Sequence, residues 1–157
     1  MISLIVAIGK NNVIGKNGEL PWHYSEDLKY FKKVTTNHKV LMGKTTFDSI
    51  VNKLGKPLPN RHNIVVTHDE NFSYQGVEVV SNLADFLKNH QNDDIFIIGG
   101  KQIYEQSLSY VKRFFITNIN KEYDGDVYFP QLDYSKLKLI SKKDSGELSF
   151  CVYQRMV

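Results

Sequence analysis

Residues 95–106 read IFIIGGKQIYEQ, which predicts a buried strand, a tight turn and a helix in direct succession. The predicted strand, 94–98, is an apolar run of the kind found where both faces of a parallel sheet are covered. Gly99 and Gly100 end it, because glycine permits the tight backbone that lets a helix start close to a strand. The helix is predicted over 101–110. Units of this kind build α/β domains.

The same order of elements recurs along the whole chain. The predicted strands are 3–8, 39–43, 63–67, 77–81, 94–98 and 113–119. The predicted helices are 25–35, 45–50, 82–90 and 101–110. Residues 136–156 alternate between apolar and polar side chains, and a Ser-Gly pair in the middle is typical of a turn. This pattern predicts an antiparallel hairpin. The expected fold is α/β: one domain over 1–157, with a mainly parallel central sheet, an antiparallel C-terminal hairpin and helices on both faces.

The composition is typical of a globular protein. Of the 157 residues, 41% are hydrophobic and 24% are charged, which suffices for a sizeable core. No apolar run approaches the ~18 residues of a membrane span, and the N-terminal run lacks the basic region of a signal peptide. Cys151 is the single cysteine, so no internal disulfide can form. We therefore expect a cytoplasmic monomer with no membrane partner.

The charge and the motifs exclude several classes of function. The 20 basic and 17 acidic residues leave a net charge of +3, which favours small anionic ligands but is too weak for a nucleic-acid surface. A single-strand binding platform would need exposed aromatic residues among lysines and arginines, whereas the aromatic residues here mostly occupy core positions. The five histidines include no i, i+4 pair, so no metal site is expected. The G-x-S-x-G motif of serine hydrolases is absent.

An acidic side chain stands in the apolar stripe of the first predicted helix. In LPWHYSEDLKYF (20–31), Ser25 is a suitable N-cap, and Asp27 shares a face with Phe31 while Leu28 lies beside it. The carboxylate either gains ~0.3–1 kcal/mol from the helix N-terminus or faces a ligand. We expect burial to raise its pKa above the ~3.9 of a model aspartate.

Three strand ends carry residues suited to an anion. They are Gly99-Gly100, Gly43 followed by Lys44, Thr45 and Thr46, and Thr67 with His68. Because parallel strands end at one sheet edge, these residues together predict an extended ligand with phosphate groups. A site for NAD would place an acid there to accept from ribose hydroxyls. Lys44, with no acid expected to oppose it, favours the 2′-phosphate of NADP; the alternative is a solvated lysine.

Taken in order, the motifs resemble those of bacterial dihydrofolate reductase. They are LIVAIGKNNVIGKNGELPWHYSEDLKYFK, VLMGKTTFDSI, PLPNRHNIVV, IFIIGG, IYEQ, ITNI and GDVYFP. The match covers nearly the whole chain, and only the hairpin after Pro130 is weakly marked. The resemblance implies hydride transfer from NADPH to 7,8-dihydrofolate, giving 5,6,7,8-tetrahydrofolate for one-carbon metabolism. It also implies binding of diaminopyrimidine or pteridine antifolates.

The resemblance assigns substrate-binding and catalytic roles. Asp27 would hold the pterin, with Thr117 supporting it from behind, and Trp22 would order a water beside the pterin. Asp27 and Trp22 are thus the expected catalytic residues. Arg61 would clamp the glutamate α-carboxylate. The other expected substrate-binding residues are Ile5, Ala7, Leu28, Phe31, Lys32, Ile50, Lys56, Leu58 and Ile98.

The resemblance also assigns residues to NADPH. The 9–24 loop would close over the nicotinamide, and its expected contacts, together with one from the first strand, are Ala7, Val13, Ile14, Gly15, Lys16, Asn17, Gly18 and Glu19. Gly99 and Gly100 would approach the cofactor through a cis peptide, with Tyr104 beside the nicotinamide ribose. The remaining expected cofactor residues, including those for the phosphates and adenosine, are Gly43, Lys44, Thr45, Thr46, Thr67, His68, Ser81, Ile98, Lys101, Gln102, Ile103 and Gln106.

Two departures from the family pattern concern the adenosine end. Lys44 stands where many members have arginine, and Thr45 takes a place often held by a basic side chain, so the bidentate fork to a phosphate is lost. The 51–62 loop is longer than in the shortest bacterial members, which leaves the place of Lys56 open. A rival with the same fold is a pyrimidine reductase of riboflavin synthesis, in which EDLKYF together with PLPNR is not expected.

Overall fold

The computed structural model describes residues 1–157, which form ten strands and four helices. The strands are β1 (Ile2–Gly9), β2 (Val13–Gly15), β3 (Lys39–Gly43), β4 (His62–Val66), β5 (Glu78–Val80), β6 (Ile95–Gly99), β7 (Arg113–Ile119), β8 (Val127–Tyr128), β9 (Leu137–Ser145) and β10 (Leu148–Arg155). The helices are α1 (Ser25–Thr35), α2 (Lys44–Leu54), α3 (Leu83–Asn89) and α4 (Lys101–Ser107). Short 3₁₀ turns cover Leu108–Tyr110 and Tyr134–Lys136.

Eight of the strands form one sheet in the order β5–β4–β3–β6–β1–β7–β10–β9. The strands from β5 to β7 pair in parallel, and β10 pairs antiparallel with both β7 and β9. The predicted fold, a mainly parallel sheet with an antiparallel C-terminal hairpin, is confirmed. Because β3, β4 and β6 run the same way, their carboxyl ends form one edge, on which the predicted anion-binding residues lie.

The sheet is covered on both faces, as predicted from its apolar runs. On one face Leu4, Leu41 and Ile97 pack with residues of α3 and α4. On the other, Ile5 and Met42 pack against residues of α1 and α2. The alternation follows the two-residue period of a strand, so neighbouring residues serve opposite cores.

Several boundaries differ from the prediction. The N-cap of α1 is Tyr24 rather than Ser25, and its backbone carbonyl accepts from the amides of Asp27 and Leu28 without a side-chain cap. α2 begins one residue before the predicted 45–50 segment and continues four residues past it, until Gly55 adopts a left-handed φ of 75° and ends it. The regular part of α4 stops before the 3₁₀ turn at 108–110.

The long 9–24 loop contains a strand that the sequence did not reveal. β2 pairs with β8, and the Asp126 amide donates to the Gly15 carbonyl at 3.0 Å. A Cβ at Gly125 would overlap Cγ1 of Val13 and the Gly15 carbonyl oxygen, so this approach requires glycine. The loop is therefore attached to the segment that follows β7.

None of the four helices combines the length and the apolarity needed to cross a bilayer.

A substitution in β3 tests the position of this strand in the core. Leu41 is fully buried, so Leu41→Ala is expected to lower the free energy of unfolding by about 2–5 kcal/mol, through lost burial and the cavity left behind. Urea unfolding measures this change. The matched control is Leu54→Ala at the exposed end of α2, where we expect a change within about 0.5 kcal/mol. Equal effects of the two substitutions would contradict the central place of β3.

Candidate active site

Asp27 lies in the first turn of α1 and faces β7. Its carboxylate is partly buried, and burial raises its pKa above the ordinary value of 3.8, in the direction predicted. The side chain of Thr117, itself buried on β7, acts in the opposite direction and favours the charged form. No lysine or arginine forms an ion pair with Asp27 or contributes to its pKa shift. The carboxylate is therefore available to a cationic ligand.

An apolar wall packs against α1, the helix that carries this carboxylate. Ile5 and Leu58 are buried, and Phe31, Ile50 and Ile98 pack against the same cluster while remaining partly exposed. The structure thus brings together five of the predicted pocket residues. Two more lie nearby in the fold but outside this cluster: Ala7 pairs in register with Thr117, and Leu28 projects from α1 with 48% of its surface exposed.

Trp22 lies in a second apolar cluster, against which Ala7 also packs. Its ring packs with Val13 and Ile119, and lies 5.1 Å from the ring of Tyr123. The indole N–H is buried and has no acceptor among the protein atoms. A buried donor of this kind is suited to a water or ligand in the adjacent space.

Arg61 is held at the far end of the apolar wall by two hydrogen bonds. Its Nε donates to the Pro59 carbonyl at 2.9 Å and Nη1 donates to the Thr35 hydroxyl at 3.1 Å. The Thr35 hydroxyl in turn donates to the Phe31 carbonyl at 2.7 Å, and the guanidinium lies 5.9 Å from the Phe31 ring. Burial lowers the pKa of Arg61. With two of its five N–H groups used, the guanidinium keeps three for a carboxylate.

Lys32 and Lys56 are both exposed. Neither makes an ion pair in the structure.

The predicted cofactor residues line the carboxyl edge of the sheet. Met42 is in register with Gly99, and Gly43 with Val66, so the ends of β3, β4 and β6 lie side by side. The Gly99–Gly100 peptide is cis, as the resemblance implied. The starts of α2 and α4 come close here: a Cβ at Gly100 would lie 3.6 Å from the Thr46 hydroxyl.

Both helices begin at this edge without a side-chain cap. Their first-turn N–H groups are therefore available to phosphate oxygens.

The other predicted cofactor residues differ in their accessibility. Those exposed along the edge or in the loop are Lys16, Asn17, Gly18, Glu19, Thr45, His68, Ser81, Lys101, Gln102 and Gln106. Thr67 is partly exposed, but its hydroxyl accepts from the Asp69 amide. Val13 and Ile103 are buried in the cores, while Ile14 and Gly15 remain partly exposed. Tyr104 is also buried, and its hydroxyl donates to the Ile5 carbonyl at 2.9 Å.

The surroundings of Lys44 differ from the prediction. We expected no acid to oppose this lysine, but Oδ2 of Asp48 lies 2.9 Å from its Nζ. The ammonium also lies 5.6 Å from the ring centroid of Phe72. The Lys-x-x-x-Asp spacing could have revealed the pair, but the helix was predicted to begin only at Thr45. Phe72 and Thr35 had no comparable sequence signal.

Comparisons with known proteins agree with this arrangement. A model of the dihydrofolate reductase family matches residues 1–155. The chain belongs to the dihydrofolate reductase family.

The dihydrofolate reductase of Bacillus subtilis (strain 168) is 42% identical over 163 aligned positions, covering 99% of this chain and 95% of the relative. That of Staphylococcus haemolyticus is 36% identical, covering 99% and 96%. A structure of dihydrofolate reductase from Enterococcus faecalis, complexed with NADP(H) and RAB-propyl, superposes with a TM-score of 0.88 at 28% identity. It covers 100% of this chain and 97% of that chain.

In this member of the family, a network of polar contacts fixes the loop that carries Trp22. The hydroxyl groups of Tyr24 and Tyr123 are 2.5 Å apart, and the Tyr24 hydroxyl donates to Oε2 of Glu147 at 2.6 Å. Near the loop centre, the Asn17 amide donates to Oδ2 of Asp126 at 3.1 Å. The loop is thus attached to both the 120–128 segment and the β9–β10 turn.

The raised pKa of Asp27 predicts how stability depends on pH. The folded-state pKa of Asp27 lies above 3.8, so the folded protein binds this proton more tightly than the unfolded chain. The resulting contribution to the free energy of unfolding is fully present below pH 3.8 and is lost as pH rises through the folded-state pKa. Asp27→Asn removes the charge, and we expect a higher free energy of unfolding than wild type at pH 7. The difference should shrink as pH falls towards about 4. Urea unfolding at several pH values measures it.

Glu26→Gln is the matched control on the same helical turn. Glu26 is exposed and accepts from the Ser145 hydroxyl at 2.9 Å, so its neutralisation is expected to leave stability unchanged or lower. If Asp27→Asn is no more stable than wild type at pH 7, burial of the charged carboxylate does not cost the folded protein stability, and this prediction is wrong.

Proposed function

We propose that this chain reduces 7,8-dihydrofolate to 5,6,7,8-tetrahydrofolate with NADPH, and that Asp27, Trp22, Arg61 and Lys44 take the roles the family pattern assigns. The observation that carries the proposal is the partly buried Asp27 carboxylate, which has no basic partner in the protein. Such a group needs an opposite charge or hydrogen-bond donors from a ligand. The amino group and adjacent ring nitrogen of a pterin supply both.

The pocket around Asp27 suits the rest of the substrate. A flat pterin and aminobenzoyl group would pack against Ile5, Phe31 and Ile50, because these side chains form one apolar cluster. The glutamate tail would reach Arg61, whose free N–H groups form a fork suited to a carboxylate. Substrate orientation thus follows from an anion at one end of the cleft and a cation at the other.

Asp27 and Trp22 support the transfer of a proton to the pterin nitrogen beside the carbon that receives hydride. The negative charge of Asp27 stabilises the protonated pterin, since opposite charges attract strongly in a partly buried site. The buried indole N–H of Trp22 is available to order the water that delivers the proton. The Thr117 side chain favours the charged form of the carboxylate and so opposes the effect of burial on its pKa.

The residues at the sheet edge fit NADPH, which when bound supplies the hydride. The starts of α2 and α4 offer uncapped N–H groups to the phosphates. Gly99 and Gly100 bring backbone close to the ligand, because neither carries a side chain. Lys44 offers a positive charge to the 2′-phosphate. The loop with Trp22 would exclude water from the reacting atoms.

The product would serve one-carbon metabolism, and the same carboxylate would bind diaminopyrimidine or pteridine antifolates through their amino groups. We place the protein in the cytoplasm as a monomer. The single cysteine agrees with a reducing compartment.

The proposed role of Arg61 can be tested with two substrates. Arg61→Lys loses the fork, so we expect dihydrofolate to bind roughly 10- to 100-fold more weakly, as for a lost charged hydrogen bond. A dihydropterin without the glutamate tail should bind nearly as before. Dissociation constants from equilibrium titration measure both.

Thr35→Val is the companion variant, because it removes only the hydroxyl that accepts from Arg61. We expect it to weaken dihydrofolate selectively and by less than Arg61→Lys. If both substrates lose affinity alike in Arg61→Lys, the arginine has a structural role only.

The role of Asp27 predicts a distinctive pH profile. Asp27→Asn retains shape but loses the charge, so we expect hydride transfer at pH 7 to slow by about 100-fold or more. The rate should recover as pH falls and the substrate protonates in solution. Single-turnover absorbance of NADPH against pH measures this, while the affinity for NADPH should barely change. A wild-type rate for Asp27→Asn at pH 7 would show that the Asp27 carboxylate only interacts favourably with the N-terminus of α1.

A further inference from the structure

Lys44 and Asp48 form an ion pair at the adenosine end of the proposed cofactor site. Their Nζ and Oδ2 atoms are 2.9 Å apart, and the two residues are separated by one turn of α2. Their side chains are 39% and 50% exposed, so a ligand can contact either one. The pair therefore presents a positive and a negative group together.

The two groups favour different ligands. A 2′-phosphate that approaches Lys44 also meets the Asp48 carboxylate, and these like charges repel. A ribose that lacks the phosphate instead presents hydroxyl donors, which a carboxylate accepts; acids at this end select NAD in dinucleotide-binding folds. Thr45, next to Lys44, adds no positive charge that would favour the 2′-phosphate of NADPH.

We propose that Asp48 is a specificity-determining residue that allows this chain to use NADH as well as NADPH. The proposal rests on the proposed function. With either cofactor, one hydride leaves the dihydronicotinamide, which becomes the oxidised pyridinium. The substrate gains that hydride on carbon and one solvent proton on the adjacent nitrogen, so its C=N bond becomes a single bond.

The residue that Asp48 acts through is Lys44. In the free protein the ammonium group of Lys44 contacts the Asp48 carboxylate and also lies over the ring of Phe72. A bound 2′-phosphate must share or displace the carboxylate contact. Removing the carboxylate should therefore strengthen the binding of NADPH. It should weaken the binding of NADH, because the ribose hydroxyls lose a hydrogen-bond acceptor.

The test compares both cofactors in Asp48→Asn, Lys44→Ala, the double variant and wild type. Quenching of Trp22, the only tryptophan, gives the dissociation constants in the absence of substrate, and kcat/KM gives the turnover preference. We expect Asp48→Asn to tighten NADPH roughly three- to tenfold and to weaken NADH slightly. The gain for NADPH should be smaller when Lys44 is already alanine, which a double-mutant cycle detects.

Asp93→Asn is the matched control. Asp93 pairs with Lys39 at 3.1 Å with side chains 39% and 40% exposed, at the opposite end of the sheet, so it gives the same change in net charge away from the site. We expect it to leave the ratio of the two dissociation constants unchanged.

Three results would overturn the proposal. They are an unchanged or lowered preference for NADPH in Asp48→Asn, an equal shift in Asp93→Asn, and wild-type binding of NADH more than about 100-fold weaker than that of NADPH. If neither cofactor supports reduction of dihydrofolate, the proposed function fails. The dissociation constants without substrate then still decide the role of Asp48.

Discussion

A carboxylate removed from water without a basic partner costs free energy, and the geometry of the site follows from how Asp27 is held there. α1 carries Asp27 on its first turn, and β7 presents the Thr117 side chain to it. Both elements are anchored to the central strands, Thr117 through its register with Ala7 on β1. The carboxylate is therefore held partly buried beside β7 with no basic partner, so its affinity for an opposite charge is available to a ligand.

The rest of the cleft is built around this fixed charge. Arg61 is braced by Thr35, and Thr35 is bonded to the Phe31 carbonyl on the helix that carries Asp27. The negative and positive ends of the proposed substrate site are thus joined through one helix, which fixes the distance between them. The proposed cofactor site is built separately, from the ends of β3, β4 and β6. The two halves meet at β1 and β6, where Ala7 and Ile98 lie.

The strands were predictable from sequence because burial on both faces leaves uninterrupted apolar runs. β2 was not, because it is three residues long and depends on β8 and Gly125, more than 100 residues later. The N-cap of α1 was misassigned to Ser25, since the carbonyl of Tyr24 performs that role without any side-chain signature.

The site was predictable to a similar extent. The position of Asp27 among apolar residues left a ligand open as one interpretation, and the three strand ends with Lys44 predicted a phosphate-bearing ligand. The roles of the remaining residues came from the family resemblance. The bond between Arg61 and Thr35 joins residues 26 apart, and no local pattern reports such a contact. Asp48 was overlooked for a simpler reason, a helix start placed one residue too late.

The position of β1 in the sheet has a consequence for synthesis on the ribosome. β1 is made long before its partners, because Ile2 pairs with Ile95 and Ser3 with Arg113. The contacts that fix the Trp22 loop come later still, from Tyr123 and Glu147. A nascent chain thus exposes an apolar, unpaired strand until β6 has been made, and such segments are prone to aggregate or to need chaperones. The Trp22 loop gains its last anchor only when the final hairpin has emerged, so a truncated product would carry Asp27 and Arg61 without a fixed loop to cover them.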